Sequence, residues 1–220
     1  MRKKTQRIFA GILAVIVSIS MVGAGVIGVL LSDDPVSYNQ TQDTAAAYQA
    51  QIEGLEAMAS QIEIDPDNLP LLRALADGYY RAGFDAQYVK PEDAQGNFER
   101  AVDYYLLIIE TEDDAFVMLN LANVAYYSGN NDLAEQTYED ILAGDPEFVL
   151  ALIAYSMFLL EAKEDYAGAE EQLERALLFA EDDTYLEQIH AMRELVQMQR
   201  EANDLSSQDD PDGGQDPEAE

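Results

Sequence analysis

The sequence predicts an all-α protein: an N-terminal single transmembrane helix, then an α-solenoid of stacked helical hairpins with a C-terminal capping helix. Three observations carry that prediction. An uncharged apolar run fills residues 8–31, apolar residues then recur at spacings of three and four, and a pair of amphipathic helices repeats along the rest of the chain.

The apolar run reads IFAGILAVIVSISMVGAGVIGVLL, Ile8 to Leu31. As a helix it spans roughly 36 Å at about 1.5 Å per residue, enough to cross a bilayer core. A cleaved signal peptide has a shorter apolar region and a small-x-small site before its cut. No such site precedes Asp33, and there is no Cys for a lipid anchor, so the run reads as an uncleaved anchor. Arg2, Lys3, Lys4 and Arg7 precede it, and Asp33 and Asp34 follow. The positive-inside rule then keeps the N-terminus in the cytoplasm and puts the rest of a single-pass cell-membrane protein on the outer side. Ser20, Ala24 and Gly28 form a small-residue stripe that permits close helix pairing, hence a homodimer. The expected organisation is 1–7 basic cytoplasmic end, 8–31 anchor, 32–41 linker, 42–203 helical repeat domain and 204–220 disordered acidic tail.

Charge and composition exclude several functions. The 220 residues hold 43 acids and 12 bases, and four of those bases precede the first acid; the remainder sets 43 acids against 8 bases, a formal −35. Such a surface repels nucleic-acid phosphate. With no Cys, disulfides, thiolate nucleophiles and cysteine-held metals are impossible. His190 is the only histidine, so no His pair with metal spacing exists. The tail has Asp210, Asp212 and Gly213 at calcium-loop spacing, but Gln208 and Ala219 occupy the first and last ligand positions, where the loop needs carboxylates. Neither a catalytic site nor a metal or cofactor is expected, and the chain reads as a non-enzyme.

After the linker, Ala45, Tyr48, Ile52, Leu55, Met58 and Ile62 mark a first helix that Asp65-Pro66 ends. ALADGYYRAG (74–83) then matches NLANVAYYSG (120–129), and NFERAVDYYLLIIETEDD (97–114) matches NDLAEQTYEDILAGDPE (131–147). LIAYSMFLLEAK (152–163) and DYAGAEEQLERALLFAEDD (165–183) repeat the pattern. Ala76, Ala101, Ala122, Ala134, Ala169 and Ala176 fall where one helix must approach another closely. The first unit carries a long turn, FDAQYVKPEDAQG, at 84–96. A charged last helix, Thr184 to about Glu201 with Thr184 as N-cap, suits the exposed end of a stack.

These residues resemble the tetratricopeptide repeat family over about 42–200. The middle unit, 115–148, has the family length, with Leu121 and Ala122 at its Leu-Gly, Gly129 at the turn, Ala134 and Tyr138 on the second helix, and Pro146 at the close. Met118 and Ala125 stand where the family has aromatics. The resemblance implies a membrane-anchored protein–protein interaction module, an adaptor or assembly factor, binding a peptide or protein in a concave groove. It also leaves open a self-associating scaffold. The implied groove residues are Arg73, Asp77, Tyr80 and Arg81, then Asn120, Asn123, Tyr126 and Tyr127, then Ile153, Met157 and Leu160. Arg73 and Arg81, eight apart, share one helix face. Arg73 and Asn120 match two positions of a carboxylate clamp that some members use; Asp77, Leu150 and Ala154 replace the others, so the clamp is incomplete.

Overall fold

The structure, a computed structural model, describes residues 38–208, with side chains over 44–205. The expected anchor at 8–31, its stripe Ser20, Ala24 and Gly28, and the tail beyond Gln208 lie outside the described residues. No helix among the described residues is long and apolar enough to cross a membrane. Those residues form α1 (Tyr38–Ile62), α2 (Leu69–Val89), a 3₁₀ turn (Pro91–Asp93), α3 (Ala94–Ile109), α4 (Ala115–Tyr127), α5 (Asn131–Gly144), α6 (Val149–Ala162), α7 (Tyr166–Phe179) and α8 (Asp183–Gln208). No strand occurs among them.

Short polar side chains set where the helices begin, by accepting from backbone N–H groups that the first turn leaves free. Asn68 accepts from Leu71 N at 3.2 Å, Asp114 from Phe116 N at 2.9 Å, Asn130 from Leu133 N at 3.4 Å and Asp165 from Gly168 N at 2.9 Å. Asp182, not the expected Thr184, starts the last helix, accepting from Thr184 N at 2.7 Å. A carboxylate suits that place better than a hydroxyl, because it also faces the positive end of the helix dipole. The last helix runs to Gln208, into the segment read as tail.

Helices α2–α3, α4–α5 and α6–α7 are hairpins, each packed on the next. All six alanines singled out in the sequence are fully buried, and Tyr79, Tyr105 and Tyr138 fill the spaces beside them. Helix α1 lies along the first hairpin through buried Tyr48 and Leu55; Tyr48 Oη receives Asn97 Nδ2 at 2.8 Å and donates to Asp93 Oδ2 at 3.2 Å. Helix α6 is enclosed most completely, packing on α5 and α7 and touching α4 and α8.

The long turn expected at 84–96 is helix instead: α2 continues to Val89, α3 starts at Ala94, and only Lys90 and the 3₁₀ turn lie between. Phe84 and Ala86 have core neighbours to cover, so the insertion lengthens both arms of the hairpin rather than looping out. Gly83, which the repeat pattern puts at a turn, is therefore in mid-helix. A Cβ there would overlap the Phe98 ring of α3, and one on Gly78 would overlap the Leu55 side chain of α1. The true turn glycine is Gly129, at φ +83°, where a side chain has room but the backbone conformation is strained for any L residue. Glu164 holds a left-handed φ of 52° in the corresponding turn of the third hairpin.

Three substitutions separate these effects in urea unfolding. Gly83→Ala is expected to cost about 1–3 kcal/mol by overpacking, and Gly129→Ala about 1–2 kcal/mol through its backbone alone. Glu164→Gly is expected to gain about 0.5 kcal/mol, relief of the left-handed strain being partly offset by glycine's greater unfolded entropy.

Candidate protein-binding face

The face built from α2 and α4 begins with its supports. Tyr105 of α3 and Tyr138 of α5 are almost wholly buried, and each pushes its hydroxyl out toward the first helix of its own hairpin. Tyr105 Oη donates to Asp77 Oδ1 at 2.6 Å, and Tyr138 Oη donates to Asn123 Oδ1 at 2.6 Å. Two of the expected groove residues are thus held in place from beneath by equivalent tyrosines of successive repeats. The repeat places Met157 and Leu173 at the corresponding positions of the third hairpin, and both are buried. The polar rung is replaced there by an apolar one.

That replacement corrects the third part of the expected groove. Ile153, Met157 and Leu160 are buried and form core, not an open lining. Helix α6 is apolar on every side, so its inward and outward faces could not be told apart in the sequence.

The other expected residues divide by what they touch. Arg73 is ion-paired with Glu112 and, at 3.2 Å, with Asp114, both in the connection between α3 and α4. Tyr80 is packed against Phe84, Phe98 and Tyr127, with ring centroids 5.3, 6.2 and 6.3 Å away. Burial pushes its hydroxyl pKa far up. Tyr126 is half-buried and donates to Glu161 Oε2 at 3.0 Å. Tyr127 is pushed up to about 12, by burial first and by the Glu161 charge second. Asn120 and Asn123 are half-exposed, while Asp77 and Arg81 are exposed, and Arg81 makes no ion pair. The face therefore presents Asp77, Arg81, Asn120, Asn123 and the edges of Tyr126 and Tyr127, with Arg73 tied down at its margin. A shallow open cleft of about 330 Å³ lies beyond it, between the tip of the first hairpin and the end of α4, walled by Gln87, Phe98, Tyr127 and Gly129 among others.

Sequence reasoning missed Glu161, Phe84 and Phe98. Glu161 follows Tyr126 by 35 residues, about one repeat, and that spacing was the available signal. Phe84 was hidden because the insertion reads as a turn; Phe98 falls on a segment that reads as helix, but its partners Phe84 and Tyr127 lie on other elements.

No family model matches the chain, and no curated protein matches it. Among solved structures it is similar to one titled "Crystal structure of MamA", at 17% identity, over 66% of this chain and 96% of that one, with a TM-score of 0.36. A likeness that loose adds nothing to the fold. The hairpins themselves carry the description of the described residues as a tetratricopeptide-like helical stack.

Two titrations check the electrostatics. Tyr127 prefers its neutral form when folded, so its stabilisation is whole below the ordinary tyrosine value of 10.0 and is lost as pH rises toward about 12. Glu161→Gln is expected to bring the Tyr127 transition down in a phenolate-absorbance titration, though burial still holds it above the ordinary value. Asp114 behaves oppositely. Burial raises its pKa, but hydrogen bonds from Phe116 N, Arg73 and Val117 N outweigh that and hold it low. Its contribution is present above the ordinary carboxylate range and is lost as pH falls through the lowered value. Asp114→Asn keeps a capping acceptor and drops the charge. It is expected to cost less than about 1 kcal/mol at neutral pH and to flatten the acid limb of the urea midpoint against pH.

Proposed function

We propose that the chain is a membrane-anchored protein-interaction module, an adaptor or assembly factor without catalytic chemistry, that holds an extended peptide or protein partner along α2 and α4. One observation carries this reading. Asp77 and Asn123 are fixed in successive repeats by buried tyrosine hydroxyls at 2.6 Å while remaining accessible from outside. Fixing a polar group before a partner arrives removes an ordering cost from binding. Asn can bond an extended backbone through both its donor and acceptor, Arg81 suits a carboxylate, and the rings of Tyr126 and Tyr127 add rigid amphipathic area.

Anchorage, orientation and the outer-side location rest on the sequence: the apolar run at 8–31, the bases before it and the acids after it. A partner would then be met at or near the outer surface of the cell membrane.

The test is a comparison of proteins that co-purify from mild-detergent membranes with the natural chain and with Arg81→Glu/Tyr126→Ala. The expected outcome is loss of one or more partners from the variant. Identical partner sets would rule out this face as the binding site. Arg73 is left intact because its ion pairs bind the two hairpins to each other.

A further inference from the structure

Four connections lead into a first helix or the last one: 63–68, 110–114, 145–148 and 180–182. Contacts between them place them on one edge of the stack. Arg73, near the start of α2, pairs with Glu112 and Asp114 of the second connection. Phe116, just after the second, and Phe148, at the end of the third, meet edge-to-face with ring centroids 5.1 Å apart. Arg175, near the end of α7, donates to the Pro146 carbonyl of the third at 3.3 Å.

This edge carries a row of apolar side chains left in the open. Ile64 is 86% exposed, Phe116 60%, Leu178 77% and Phe179 36%. Ile64 lies in the first connection, Phe116 beside the second, and Leu178 and Phe179 just before the fourth. Exposed large apolar groups gathered on one edge mark an interaction surface more often than isolated ones do.

The charge around the row selects its occupant. The four connections read EIDPDN, ETEDD, DPEF and AED: eleven carboxylates and no lysine or arginine. The opposite edge reads KPED at 90–93, SGN at 128–130 and KED at 163–165, and both of its lysines are paired, Lys90 with Asp93 and Lys163 with Glu135, each at 2.8 Å. The negative charge is thus heavier on this edge: the opposite one sets four carboxylates against two lysines. Among the described residues no three carboxylates stand close enough to hold a metal ion, so the charge is spread along the edge rather than focused at a point. Spread negative charge alternating with apolar side chains complements a basic amphipathic segment and rejects an acidic one.

We infer that this edge is a second docking surface, separate from the α2–α4 face, and that its partner is a lysine- or arginine-rich amphipathic polypeptide segment. The cations lie against the connections while apolar residues of the segment cover Ile64, Phe116, Phe148 and the Leu178–Phe179 pair. The inference does not depend on the α2–α4 face binding anything.

The experiment measures fluorescence anisotropy of a labelled synthetic peptide of lysine and leucine, its leucines on one side, with the full-length chain in mild detergent. Asp113, Glu147 and Glu181 are exposed and neither cap nor pair, so Asp113→Lys/Glu147→Lys/Glu181→Lys is the edge variant. Asp103→Lys/Asp140→Lys/Glu171→Lys makes the same charge change on the exposed surfaces of α3, α5 and α7. The edge variant is expected to lose about tenfold or more in affinity, and the control variant about threefold or less. Ile64→Ser/Phe116→Ser, which leaves charge unchanged, is expected to lose about threefold to tenfold. Circular dichroism matching the natural chain establishes that each variant is folded. Equal loss in the edge and control variants would reduce the effect to net charge and overturn the inference. So would an unaffected Ile64/Phe116 variant, or no binding by the natural chain.

Discussion

A continuous run of aromatic contacts joins the three hairpins. Phe84 of α2 meets Phe98 of α3 and Tyr127 of α4 at 5.2 and 4.7 Å, and Tyr127 adjoins Tyr126. Tyr126 meets Phe158 of α6 at 5.8 Å, and Phe158 meets Tyr138 of α5 and Tyr155 at 5.7 and 6.2 Å. In a stack where each unit touches only its neighbours, stability lies in such junctions as much as in the units. Each aromatic pair contributes about 0.5–1.5 kcal/mol beyond the area it buries. The binding face depends on the same run, because Tyr126 and Tyr127 are both its midpoint and the aromatic part of that face. Their positions are set by the packing of two hairpins at once.

Much of this was legible in the sequence, and the misses have physical causes. Helix pairs, the buried alanines and the half unit before the first hairpin follow from a 3.6-residue period and from small residues at fixed offsets. The insertion at 84–96 was misread because Gly83 sits where the repeat puts a turn glycine. A glycine needed for helix-to-helix approach and one needed for a positive φ look the same in a sequence. Only the second requirement holds at Gly129. The outward residues Asp77 and Arg81 of α2, and Asn120 and Asn123 of α4, could be placed because they are polar positions at helical spacing among apolar ones. Those of α6 could not, since nine of its fourteen residues are buried apolar or small groups with no polar face to fix the register. Long-range partners such as Arg73 with Glu112, or Tyr126 with Glu161, need the stacking of units before they can be seen.

The two kinds of polar group on this chain serve different ends. Asp77 and Asn123 are held from beneath by hydroxyls whose rings are buried, so their geometry is defined. Among the carboxylates of the connecting segments, Asp114 and Asp182 accept from backbone N–H groups that start helices, Asp145 accepts from Glu147 N within its own connection, and Glu112 and Asp114 pair with Arg73. Capping accounts for an acid at the second and fourth connections. It does not explain the exposed Ile64 and Phe116, which gain nothing from a cap.

The chain contains thirteen tyrosines and no tryptophan. Tyr126, Tyr127, Tyr138 and Tyr155 lie in the seam between hairpins, and the hydroxyls of Tyr126 and Tyr138 are bonded to a carboxylate and an amide oxygen. The protein's own ultraviolet emission therefore comes from phenols, some of them at the hairpin junctions. Against that background a partner bearing even one tryptophan announces itself by its own longer-wavelength light, without a label on either molecule.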